Sequence, residues 1–241
     1  MTEHDKQGMG SSATAAVASD SPMFNRAAWA RILPFLTYLV FIVAGDMLER
    51  LGYSAAGLRW LYGVKIAAVL LVLAFCWRHY TDLRQGITPR AALLAAVVGS
   101  LVFALWIGLS AGWMVVGSPA GFDPTTNGRL DWPMVLTRIA GAALVVPLME
   151  ELFWRSFLLR WIGAADFESI DPSQIRFKSV LITALLFGVE HNQWLAGIVA
   201  GLAYSALYMR HRTIWSPILA HAVTNGLLAA WVVATSNWTY W

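Results

Sequence analysis

Seven apolar runs joined by short polar links leave this chain little choice but to fold inside a lipid bilayer. A helix that crosses hydrocarbon needs about 20 mostly apolar residues, and it must satisfy every backbone N–H and C=O within itself. The runs cover residues 28–47, 58–77, 91–113, 133–160, 177–191, 195–209 and 215–234. They predict an all-α fold, a polytopic transmembrane helix bundle of about seven spanning helices. The fourth run is longer than a bilayer requires. The fifth is short, and only Val180 to Val189 is strongly apolar, so the fifth and sixth also read as a helical hairpin turning at residues 191–194. Charged residues make up 13% of the chain, against about a quarter in soluble domains, which leaves too little polar surface for a water-soluble fold.

Residues 1–24 are rich in Ser, Ala and Gly and read as a flexible polar tail. They contain no apolar stretch long enough for the core of a cleavable secretion signal. Residues 25–241 then form a single membrane-embedded domain. The net charge of +3 does not point to nucleic acid, because the basic residues lie between apolar runs and not in one patch. With the N-terminus inside, eleven Lys and Arg fall in inner segments and four in outer ones, while Arg138 and Arg155 lie within a run. Cytoplasmic loops carry the basic excess, so the N-terminus is expected in the cytoplasm. Trp238, Tyr240 and Trp241 then anchor the far interface. Cys76, the single cysteine, reads as a buried packing residue with no disulfide or metal role. Gly108 with Gly112 and Gly197 with Gly201 have the spacing that lets helix backbones approach, and both read as bundle packing.

Ionisable groups inside hydrocarbon cost on the order of 2.5–3.5 kcal/mol each even on lenient scales, so each needs a partner or a task. They concentrate in three segments, VVPLMEELFWRSF, ALLFGVEHNQW and SPILAHAVTNG. Glu150 and Glu151 are adjacent and point about 100° apart on a helix. Arg155 follows Glu151 by one turn, in the acid-before-base order that favours an ion pair. Glu151 is thereby explained as structural, whereas Glu150 must face a polar cavity, take a proton or find a partner on another helix. His221 and Asn225 share a helix face, and His191 ends the fifth run. At about 1.5 Å per residue, Glu150 and Asn225 lie roughly 15 Å from the inner interface, His221 about 10 Å and His191 about 20 Å. Helix rotation is not readable, so convergence stays open at this point. Together the four supply a base, a second proton-handling group and two hydrogen-bond donors. Glu190 reads better as facing a watery vestibule than as part of the site.

These residues resemble the three motifs of the CAAX prenyl protease and bacteriocin-processing family of membrane peptidases. EExxxR is matched by Glu150, Glu151 and Arg155, FxxxH by Phe187 and His191, and HxxxN by His221 and Asn225. The motifs fall in order, each in its own apolar run, within residues 133–234. The surrounding EELFWRSFLLRW, HNQWLAGIVAGLAY and ILAHAVTNG are similar to a bacterial branch that accompanies exosortase and PEP-CTERM sorting systems.

The resemblance implies an intramembrane endopeptidase of the bacterial inner membrane, with a membrane-associated peptide or protein as substrate and exosortase-system components as partners. Glu150 and His191 would activate a water, while His221 and Asn225 would stabilise the oxyanion. Glu151 and Arg155 would support them. Bacteria usually lack prenylated CAAX proteins, so the substrate does not carry over with the motifs. Glu150, His191 and His221 also make a candidate zinc set, but there is no HExxH and Asn225 is a poor zinc ligand, so metal-free chemistry is preferred. Two other classes stay open. One is a non-catalytic adaptor or immunity-type peptide binder, and the other is a proton or solute pathway, for which no inverted repeat is evident.

Overall fold

The structure, a computed structural model, describes residues 24–117 and 121–241. The expected N-terminal tail therefore lies outside the described residues, except Phe24.

Seven helices form the bundle. They are α1 (Arg26–Arg50), α2 (Leu61–Cys76), α3 (Pro89–Gly108), α4 (Trp132–Trp161), α5 (Phe177–Val189), α6 (Trp194–His211) and α7 (Trp215–Thr235). Their starts follow ordinary capping chemistry. Asn25, Thr88 and Asp131 each accept a hydrogen bond from a backbone N–H of the first turn, and proline occupies an early position of α3 and α4. Two helices stop on residues in the left-handed region, Arg212 and Ser236, each with φ of 55°. Among the described residues, the only strands are Thr125–Thr126 and Arg129–Leu130, paired across Asn127–Gly128, whose positive φ angles suit a tight hairpin turn.

Five of the helices, α1 to α4 and α7, are long and apolar enough to cross a membrane. The outward face is what lipid demands, with Leu71 72% and Phe75 88% exposed. At 13 and 18 residues, α5 and α6 are about 20 and 27 Å long and form an antiparallel hairpin. Gly197 lies against Gly188, and a Cβ on Gly201 would come within 2.9 Å of the Ala184 Cα, so small residues set the close approach. The Gly108–Gly112 pair does not act this way. Gly108 ends α3, five residues short of the apolar run, and a Cβ on either glycine would meet nothing within 4 Å. Here glycine stops a helix instead of packing one. Helix α3 packs on α7 through Gly99, which lies directly against the Ala220 carbonyl.

One end of the bundle is closed by a buried ionic cluster. Arg31 on α1 donates to Ser156 on α4 at 2.6 Å and to Asp82, in the α2–α3 link, at 2.6 Å. Arg160 reaches the other Asp82 oxygen at 3.0 Å. Arg31 is wholly buried and Arg160 4% exposed, so two of the eleven charges assigned to inner segments are structural ties and not solvated loop charges. Burial pushes the Asp82 carboxyl up, but the Arg160 and Arg31 guanidiniums more than offset this and hold it below its ordinary value near 3.8. Since the folded form holds this proton more weakly than the unfolded chain, the cluster's contribution is intact above pH about 4 and fades as pH falls further. Asp82→Ala, which leaves buried Arg160 unpaired and Arg31 with only Glu168 at 3.4 Å, should cost about 3–5 kcal/mol and lower the thermal unfolding midpoint in detergent. An unchanged midpoint would show that the cluster contributes nothing net.

Candidate active site

The site is built on an irregular stretch of α4. Two π-turns, Gly141–Val145 and Leu152–Leu158, flank the short regular segment that carries Glu150 and Glu151. A π-turn widens the helix and disturbs the usual carbonyl pairing, which is common at functional positions. The Ala142 carbonyl in the first π-turn accepts the side-chain N–H of Asn225 on α7 at 2.8 Å.

Behind the site stands a fully buried triad. Glu151 Oε1 accepts from Arg155 at 3.0 Å and from His221 Nδ1 at 2.9 Å, while Arg155 also donates to the Gly201 carbonyl of α6 at 3.3 Å. Glu151 is therefore more than half of an ion pair within one helix. It ties α4 to α7 through His221, and through Arg155 to α6. Phe187 explains its place beside His191. Its ring lies under the Arg155 guanidinium, 4.6 Å from centroid to Cζ, and its carbonyl accepts from His191 Nδ1 at 2.7 Å. Tyr204 stacks on His221 with centroids 5.1 Å apart and donates to Thr224 at 2.7 Å.

In front of this support lies a cavity of about 260 Å³ whose wall includes Glu150, His191, His221 and Asn225. The four side chains thus come to one chamber from α4, the α5–α6 turn and α7. Glu151, Arg155 and Glu190 are outside its lining, and Glu190 is exposed. Glu150 makes no hydrogen bond among the described residues, and its buried Oε2 has no partner. Such an atom needs water, a proton or a ligand. Because a carbonyl can only accept, His191 carries its proton on Nδ1 and keeps a lone pair on Nε2. His221 is likewise pinned through Nδ1, since Glu151 already accepts from Arg155. One N–H of Asn225 is spent on Ala142, and the other is left.

The turn that carries His191 is fixed from outside. Asn192 exchanges two hydrogen bonds with Val116, at 2.8 and 2.9 Å, and Gln193 caps the Trp106 carbonyl near the end of α3 at 2.8 Å. The α1, α2 and α3 helices also reach the cavity, through Tyr38, Tyr62 and Trp106, with Arg138 of α4 nearby. Sequence reading gave none of these four a role in the site. For Tyr38, Tyr62 and Arg138 the signal was present, as hydroxyl-bearing or charged side chains within apolar runs. Among the described residues, no three His, Cys, Asp or Glu form a group that could hold a metal ion.

Arg155→Ala should cost about 3–5 kcal/mol by leaving Glu151 buried with one partner fewer, and adding Glu151→Gln should recover part of it. Unfolding midpoints of the single and double variants in detergent would check this, and a double variant no more stable than the single would count against the triad as drawn.

Compared with known proteins, residues 132–227 match the family described as type II CAAX prenyl endopeptidase Rce1-like. No curated protein and no solved structure matches the chain. The segment that carries Glu150, His191, His221 and Asn225, from the start of α4 to the middle of α7, is therefore similar to a family of membrane proteases.

Proposed function

We propose that this protein is an intramembrane endopeptidase that hydrolyses a peptide bond in a membrane-tethered or hydrophobic peptide or protein. One observation carries the reading. Glu150, a carboxylate without a hydrogen-bonding partner among the described residues, faces the same chamber as two histidines whose Nε2 atoms are unengaged. The family match over residues 132–227 supports it.

The proposed chemistry follows from the proton positions. Water lies between Glu150 and His191 Nε2, and its oxygen adds to the scissile carbonyl carbon as Glu150 takes the proton. The carbonyl oxygen becomes an anion, met by the remaining N–H of Asn225 and by His221. Neutral His221 offers only a lone pair at Nε2, so it donates when protonated. The Glu151 carboxylate 2.9 Å behind it offsets the added charge. When the intermediate collapses, the C–N bond breaks and the proton on Glu150 passes to the leaving amine. Glu151 and Arg155 position these groups without touching substrate.

The same proposal assigns the chain to the exosortase-associated bacterial branch and to the inner membrane, with a cytoplasmic N-terminus. Support comes from the wording around the motifs and from the eleven-to-four basic asymmetry.

Glu150→Gln and His191→Ala should each lower cleavage by about 100-fold or more, the scale of a lost general base, with insertion and purification unchanged. Comparing membrane proteomes of wild-type and Glu150→Gln strains would reveal the substrate as a species that accumulates uncut. Identical proteomes, or full turnover by Glu150→Gln, would refute hydrolysis and favour a peptide-binding adaptor. Exhaustive chelation should leave cleavage within about twofold, since none of these steps draws on a Lewis acid. Loss reversed by added zinc would replace this mechanism.

A further inference from the structure

The cavity has a second chemical pole that peptide hydrolysis as described does not use. Arg138, two turns into α4, lines the same chamber as Glu150. Its guanidinium lies over the rings of Tyr62 at 4.7 Å, Phe122 at 4.4 Å and Trp241 at 5.7 Å. Lys65 of α2 shares one of those rings, its ammonium 5.0 Å from Tyr62 and 4.0 Å from Tyr38. Every other arginine inside the bundle has a carboxylate, namely Arg31 and Arg160 on Asp82 and Arg155 on Glu151. Arg138 and Lys65 have none within ion-pair distance among the described residues. Asp46 and Glu49 border an adjoining cavity that Lys65 and Arg138 also line, but Asp46 is taken by Arg50 at 2.9 Å and Glu49 pairs with neither cation.

Aromatic faces attract a cation without neutralising it, and two like charges on one ring repel. A pair of this kind inside an apolar bundle is half of an ion cluster whose anion comes from elsewhere. We infer that Arg138 and Lys65, in their box of aromatic rings, bind a carboxylate of the peptide substrate and so set where the chain is held relative to Glu150. This deepens the peptidase reading and rests on it. Arg138 and Glu150 are twelve residues apart on α4, about 18 Å at helical rise. An extended peptide covers that distance in about five residues at 3.3 Å each. The carboxylate is thus expected some five residues from the bond that is cut. Either a free C-terminus or an acidic side chain supplies the same group.

Retention of short hydrophobic peptides by the full-length Glu150→Gln protein in detergent tests this without requiring turnover. Octapeptide mixtures are offered with a free C-terminal acid, with a C-terminal amide, and with a C-terminal amide on a final glutamate, and the bound fraction is read by mass spectrometry. Acid forms should be retained at least about tenfold over the neutral amide, the scale of one charged hydrogen bond, and Arg138→Gln or Lys65→Gln should erase the preference. Free-acid retention alone identifies the C-terminus, whereas retention of the glutamate amide as well identifies any carboxylate. Equal retention, no retention, or a preference that survives both substitutions overturns the inference. So does a preference of the protein for phosphatidylglycerol over phosphatidylcholine that depends on Arg138 while peptides are not discriminated, since the anion is then a lipid phosphate. Carboxylate selection by a protein that cleaves nothing would uphold this site and reject the hydrolase. Cleavage indifferent to the carboxylate would do the reverse.

Discussion

A single carboxylate oxygen carries much of this architecture. Glu151 Oε1 takes a hydrogen bond from Arg155 on its own helix and another from His221 on α7, while Arg155 extends the link to the Gly201 carbonyl on α6. In hydrocarbon there is no water to substitute for any of these partners, so the penalty for breaking one is the full desolvation of a charge. The three helices are therefore held in one rotational setting. That setting turns Glu150, the preceding residue of α4, toward the chamber and leaves its carboxylate without a hydrogen-bonding partner among the described residues.

The same economy governs the adjoining stretch of α4, where Asp82 gathers Arg31, Ser156 and Arg160 into one buried cluster. Both clusters draw on α4, which is why that helix tolerates two π-turns without losing its place. Elsewhere the interior is ordinary apolar packing, tightened where glycine permits backbone contact at α3–α7 and in the α5–α6 hairpin. Rigid support around one unpaired acid is the arrangement that keeps a reactive group poised without letting it collapse onto a neighbour.

Much of the fold was legible because lipid imposes so few choices. Hydropathy located all seven helices to within a few residues, apart from the end of α3, where Gly108 stops the helix although the apolar run continues to Trp113. Pairwise spacing along one helix foresaw the Glu151–Arg155 contact. What it could not supply was anything depending on rotation about a helix axis, and so the second partner of Glu151 on α7 was invisible. The engagement of Asn225 with Ala142 was hidden for another reason, since it answers a carbonyl in a π-turn that no sequence rule anticipates. Tyr38, Tyr62 and Trp106 went without a role, since only the packing of the first three helices brings them to the chamber.

The π-turn at Gly141–Val145 amounts to one residue spliced into a regular helix. Excising any single residue there would restore the normal winding and withdraw the Ala142 carbonyl that Asn225 answers, while the helix on either side keeps its setting. Hydropathy would barely change, and the protein would still enter the bilayer. Among descendants of this gene, then, a one-codon deletion in that stretch should be purged more severely than most amino-acid exchanges, so that the length of α4 is inherited more strictly than its composition.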